Sequence, residues 1–234
     1  MPPNDNPHGA LMDRVYGRQR HFYDLTRRYY LFGRDRLIRG LDLAPGSSAV
    51  EIGCGTARNL IAIARRYPDA RLFGLDASQA MLETANRAVA RAGLSRQITL
   101  VQAYAESLSP QVFGEQAKFD CAFFSYSLSM IPDWLRALAA ANRALSPSGR
   151  LHIVDFGDFS GLGRIGTAAM LAWLRQFHVE PRAEILRVLE QQAAETDHTL
   201  WVSPGRYAFV WNAQRFPDVA LTDVAGQPHA EGNP

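Results

Sequence analysis

The chain has 234 residues, 47% of them hydrophobic, which is enough for one domain with a sizeable core. Its 25 Lys and Arg against 23 Asp and Glu leave a net charge of +2, so no global basicity demands a nucleic-acid partner. Cys54 and Cys121 each sit in an apolar stretch. That usage points to a reduced intracellular protein with no disulfide framework and no metal site. No run approaches the roughly 18 to 20 apolar residues of a membrane span.

Residues 1–10, "MPPNDNPHGA", read as a flexible tail and not a signal peptide. Residues 11–44 read as a helical cap. Within it, Met12, Val15, Tyr16, Phe22, Tyr23, Thr26, Tyr29 and Tyr30 recur at helical spacing over 11–32, and a short helix follows near 34–41. Basicity is local: residues 1–40 carry eight arginines against four aspartates. A βα alternation then begins. Strands are expected at 48–52, 71–76, 97–102, 119–125 and 150–156, with helices at 57–66, 78–92 and 133–145 between them. Ser78 is the expected N-cap of the second helix, and "SPSG" (146–149) the turn before the fifth strand. Residues 161–195 read as a helical insertion. "HTLWVSPGRYAFVWNA" reads as two strands joined at Pro204-Gly205, and 217–234 as a second flexible tail. The predicted fold is α/β and Rossmann-like: a seven-stranded, mostly parallel sheet with helices on both faces and a C-terminal antiparallel hairpin, spanning 45–216.

Chemistry concentrates where the first two strands end. "VEIGCG" places Glu51 two residues before Gly53, with Gly55 following; "FGLD" ends the second strand on Asp76. Glycines at a strand–helix turn let a ligand approach the backbone closely. A dinucleotide fingerprint would put a third glycine where Arg58 stands, and a dinucleotide-binding sheet would not close with an antiparallel hairpin. A carboxylate at the end of a buried strand calls for a cation. S-adenosylmethionine brings a sulfonium and an ammonium, and Asp76 suits its ribose hydroxyls.

"VEIGCG" and "FGLDAS" together resemble motifs of the class I S-adenosylmethionine-dependent methyltransferases, over about residues 45–160. The resemblance implies that S-adenosylmethionine is bound and S-adenosylhomocysteine released. The implied contacts are Glu51, Gly53, Gly55, Asp76, Ala77, Met81, Ala105 and Ser125. Where this class often has an Asp for the adenine, this chain has Tyr104, with Glu106 as a possible replacement for the carboxylate. "SYSLSM" lacks the Asn/Asp-Pro-Pro-aromatic tetrad of nucleic-acid amino-methyltransferases.

Residues 16–38, "YGRQRHFYDLTRRYYLFGRDRLI", with "YSLSMIPDW" and "GRLHIVDFG", resemble the bacterial betaine-lipid N-methyltransferases. These trimethylate the amine of diacylglycerylhomoserine. The resemblance implies substrate positioning by Tyr16, Tyr23 and Tyr126. Arg28, Tyr29, Tyr30 and Trp134 would face the substrate, because aromatic faces attract a quaternary ammonium and arginine grips a carboxylate. Tyr23 and Arg34 suit the cofactor's carboxylate or the substrate's equally. A tyrosine stripe at helical spacing is also the pattern of ordinary packing, and a lone His21 or His152 is more often a structural residue than a base.

A lipid acceptor implies peripheral contact with an anionic membrane on its cytoplasmic face, and a neighbouring enzyme that makes the homoserine lipid. Rival functions at the same site are methylation of a soluble amine or a quinone precursor, and cofactor binding without catalysis.

Overall fold

The structure, a computed structural model, describes residues 31–176, 181–193 and 197–215. The expected helix over 11–32 lies outside these residues except for 31 and 32, which are not helical, and both expected tails lie outside them. Six helices are described: α1 (Arg34–Gly40), α2 (Arg58–Arg66), α3 (Gln79–Arg91), α4 (Trp134–Ala144), α5 (Gly163–Arg175) and α6 (Ala183–Ala193). The strands are β1 (Ser48–Ile52), β2 (Arg71–Asp76), β3 (Ile98–Gln102), β4 (Phe119–Ser125), β5 (Leu145–Phe156), β6 (His198–Val202) and β7 (Ala208–Gln214).

They form one seven-stranded sheet in the order β3-β2-β1-β4-β5-β7-β6. The first five strands are parallel, and β7 runs antiparallel between β5 and β6. β1 is buried along its whole length, which is why it reads as an unbroken apolar run apart from Ser48 and Glu51. One face carries Val50, Ile52, Phe124, Ile153 and Trp211 under α4 and α6. The other carries Ala49, Leu72, Phe123 and Val154 under α1, α2 and α3, with Leu174 of α5. Gly74 in β2 is a packing requirement: a Cβ there would lie 2.6 Å from Leu60 Cδ1 and 2.9 Å from Leu100 Cδ2. The absent side chain lets α2 settle onto the sheet.

Local signals account for the helix starts. Ser78 caps α3, its hydroxyl accepting from Met81 N–H at 3.3 Å. Asp133 caps α4 through Arg136 N–H at 3.3 Å. The "SPSG" segment differs from expectation. It does not precede β5 but belongs to it, as an irregularity between the Phe119–Leu145 and Cys121–Arg150 pairs. Pro147 has no N–H to give a ladder, so these residues leave the register and rejoin it at Arg150.

Candidate active site

Everything the sequence singled out between 51 and 76 meets at the C-terminal edge of the parallel strands, where open α/β sheets bind ligands. After β1 the chain turns through Gly53 (φ 74°) and Gly55 (φ 52°). Gly53 and Cys54 both donate to the Leu75 carbonyl, at 2.9 and 3.0 Å, which pins the loop to β2. A Cβ on Gly53 would lie 2.6 Å from Ser127 Cβ. A Cβ on Gly55 would meet nothing within 4 Å, so this glycine keeps an open backbone edge. Asp76 closes the loop from below: its carboxylate accepts from Gly55 N–H at 2.8 Å and Ser78 N–H at 2.9 Å. Ala77 lies between these two contacts, and Gln102 at the end of β3 donates to its carbonyl at 3.1 Å.

Glu51 is 1% exposed. One carboxylate oxygen accepts from Asn59 Nδ2 at 2.6 Å; the other, Oε2, has no hydrogen-bond partner. Burial pushes its pKa up to about 8, against the Asn59 hydrogen bond; Asp76 raises it further and the Arg34 charge opposes. Arg34, at the start of α1, therefore lies within electrostatic reach of Glu51, and it also pairs with Asp35 at 3.2 Å. The Ser125 hydroxyl, at the end of β4, is a second buried polar atom without a partner. Two such groups on one strand edge are an unmet demand for donors or a cation. Together with the open edge of Gly55, they fit the amino-acid end of S-adenosylmethionine. Ala105 and Met81 are buried further along this edge, while Glu106 is half-buried and Tyr104 is 39% exposed.

Beside this half of the site stands an aromatic cluster. Tyr126, directly after β4, has φ 55°, and its hydroxyl donates to the Phe32 carbonyl. Its ring packs on Phe156 at 4.8 Å; Tyr207 packs on Phe156 at 5.8 Å, on Phe159 at 5.5 Å and on Phe32 at 5.4 Å. Phe159 also has a positive φ, 56°. Non-glycine residues hold that conformation only where their surroundings impose it, and such residues concentrate at ligand sites. Phe32 is 57% exposed, so the cluster has one open ring.

Of the residues expected at the acceptor, Tyr126, itself buried and 1% exposed, is in this cluster. Trp134 is not: it is 7% exposed and packs in the core on the opposite face of the sheet, because it begins α4 with its indole turned into that core. That corrects its expected substrate-facing place. Tyr16, Tyr23, Arg28, Tyr29 and Tyr30 lie outside the described residues. His152 lies mid-strand in β5, opposite Phe123 and Asn212, and burial pulls its pKa down to about 4. It is away from the strand ends where bases would act. Sequence reading missed Asn59, whose only signal is its place as the second residue of the helix after the glycine loop. It also missed Asp155, 0% exposed, which accepts from Ser129 Oγ at 2.8 Å and Ser129 N–H at 3.0 Å and fixes the loop after β4. Phe32, Phe156, Phe159 and Tyr207 were missed because they come from three separate segments. Among the described residues no group of His, Cys, Asp and Glu could hold a metal ion.

A family model described as a methyltransferase domain matches residues 49–149. The chain is 31% identical over 131 residues to a demethylmenaquinone methyltransferase of Bacillus mycoides, covering 56% of this chain and 53% of the relative. It is 33% identical over 153 residues to a ubiquinone/menaquinone biosynthesis C-methyltransferase of Syntrophotalea carbinolica, covering 63% and 60%. The match thus spans between half and two thirds of these relatives. In fold it is similar to the S-adenosylmethionine-dependent methyltransferase SibL, with TM-score 0.62, 24% identity and coverage of 84% and 58%. It is similar also to a SAM-dependent methyltransferase from Aquifex aeolicus, with TM-score 0.58, 16% identity and coverage of 81% and 93%. Residues 49–149 thus match a methyltransferase domain, and the strand order is that of the fold shared with S-adenosylmethionine-dependent methyltransferases.

Proposed function

We propose that this chain transfers the methyl group of S-adenosylmethionine to an acceptor that enters over the exposed Phe32 ring, which is backed by the buried Tyr126–Phe156–Phe159–Tyr207 cluster, and that the acceptor is a quinone precursor. The observation that carries the proposal is that Tyr126, tied to the exposed Phe32, directly follows β4, the strand paired with β1 and its unpartnered Glu51 oxygen. The acceptor class is supported by the names of the relatives, which act in menaquinone and ubiquinone synthesis. A flat ring also suits an edge-to-face aromatic wall.

When bound, S-adenosylmethionine supplies a methyl group on a sulfonium, which leaves as a neutral thioether. The chain's own residues orient and shield. Glu51 and Ser125 receive the amino-acid end, with Arg34 for its carboxylate. Asp76 and the Gly53–Gly55 loop hold the ribose side, and Ala77, Met81, Ala105 and Glu106 border the adenine. The aromatic cluster excludes water from the acceptor side. Positioning and water exclusion are the main needs of a reaction with an activated donor.

A second reading, methylation of a lipid-headgroup amine, is favoured by one feature. The stretch 16–38 that resembles the betaine-lipid enzymes contributes Phe32 to the cluster and Arg34 beside Glu51. Aromatic faces would attract the quaternary ammonium product by about 0.5–2 kcal/mol each. Methyl transfer from labelled S-adenosylmethionine in mixed micelles separates the readings, with demethylmenaquinone and diacylglycerylhomoserine offered in parallel. Label on the quinone ring is the expected result. Label on the homoserine lipid alone would replace it with the second reading. Label on neither, with the cofactor still bound, would discard both acceptors.

A further inference from the structure

α5 is inserted between β5 and the terminal hairpin, one short turn (160–162) after Phe159. Its inner side is secured. Leu174 is 0% exposed, Met170 and Leu171 pack against the same core, and Thr167 donates to the Phe159 carbonyl at 2.8 Å. Its outer side is apolar in a way that a solvated helix is not. Ile165 is 88% exposed, Leu162 37% and Trp173 37%, and Ala168, Ala169 and Ala172 are exposed between them. These positions recur at intervals of three and four, so they form one stripe along the helix.

Along α5 itself the charges are of one sign. Residues 159–176 contain no acid, and exposed Arg164 and Arg175 stand near the two ends of α5. The nearest preceding acid, Asp158, is engaged by Arg206 at 2.9 Å. Leu162 is braced by the hairpin turn, where a Cβ on Gly205 would lie 2.5 Å from Leu162 Cδ2. The stripe is therefore held on a firm base and not on a loose segment.

We infer that the outer face of α5 docks onto the surface of an anionic lipid bilayer. An apolar stripe with a tryptophan, flanked by arginines and free of acid, is the composition of a helix lying in the headgroup boundary. A second copy of the chain fits less well. Two such helices paired antiparallel would bring Arg164 of each against Arg175 of the other, like charge on like. The docked face leads to the methyl-transfer edge, because Thr167 and Phe159 tie α5 to the aromatic cluster. An acceptor dissolved in the bilayer would then meet the exposed Phe32 ring without crossing water. The docking does not depend on which acceptor is used.

The test uses the full chain and vesicles that contain no methyl acceptor. Flotation with vesicles of phosphatidylglycerol and phosphatidylcholine at low salt should carry the protein, and pure phosphatidylcholine vesicles should carry much less. Ile165→Glu with Ala169→Glu should lower the partition coefficient at least about tenfold, with S-adenosylmethionine binding unchanged as the sign of an intact fold. Brominated lipid should quench the wild type and quench Trp173→Phe less. Absence of association with anionic vesicles would overturn the inference, as would association indifferent to the double variant. A concentration-dependent dimer that Ile165→Glu dissolves, without vesicle binding, would assign the stripe to a second copy and overturn it too.

Discussion

Glu51 is the residue on which the cofactor reading turns. Buried and held protonated at neutral pH by a pKa of about 8, it gains a reason to ionise only when a cation arrives beside its unpartnered oxygen. Cofactor binding at pH 7 should therefore release protons. Calorimetry in two buffers of different ionisation enthalpy should show up to one proton leaving per ligand, and Glu51→Gln should abolish the release. A wild type that binds without releasing protons would remove Glu51 from the cation's neighbourhood. The sign with pH follows: affinity rises as pH rises toward 8 and falls below it, because the ionised form is the one that attracts the ligand. Asn59 holds Glu51 down by its hydrogen bond, so Asn59→Leu should push the carboxyl higher and weaken binding about tenfold at neutral pH. Unchanged affinity in that variant would make Asn59 a packing residue only.

At the scale of elements, the site is two loops locked together. Gly157 donates to the Tyr207 carbonyl at 2.8 Å and Phe159 to the Arg206 carbonyl at 3.0 Å, joining the end of β5 to the β6–β7 turn. A Cβ on Gly157 would lie 2.1 Å from the Arg206 carbonyl oxygen. Gly157→Ala should therefore separate these loops, cost about 2 kcal/mol or more of stability, and impair the acceptor side more than cofactor binding. Thermal melts and cofactor titration check both halves; a melt like the wild type's would contradict the contact. β5 carries a second liability in His152, buried with Nε2 unpartnered. Its pKa is lowered from 6.5 to about 4, so between those values the unfolded chain binds more protons than the folded one. Stability rises with pH across that window and drains away as pH falls through it. His152→Leu should flatten that slope in denaturant midpoints taken between pH 6.5 and 4. The strands and helices around these loops were legible because parallel strands buried on both faces read as apolar runs, and because Ser78 marks a cap. "SPSG" was misread because a bulge that leaves and rejoins a register has the composition of a turn.

For the molecule as a whole, the strand order decides what the sequence could reveal. Glu51, Gly53, Gly55 and Asp76 are near neighbours in sequence and their strands are neighbours in the sheet, so spacing alone brought them together. The acceptor side draws on the approach to α1, the loops after β4 and β5, and the hairpin. No spacing rule joins Phe32, Tyr126, Phe156 and Tyr207, and Trp134 passed for a member although its helix faces the other core. The central claim is that S-adenosylmethionine lies along that glycine edge. Gly55 offers a direct test, since a Cβ there meets no protein atom within 4 Å. Its φ of 52° makes alanine cost only about 1 kcal/mol, so the fold survives. Equilibrium dialysis with labelled S-adenosylmethionine should show binding by the wild type and at least a tenfold loss, roughly, in Gly55→Ala, because the methyl group occupies the ligand's place. No binding by the wild type, or equal binding by both proteins, would contradict the account.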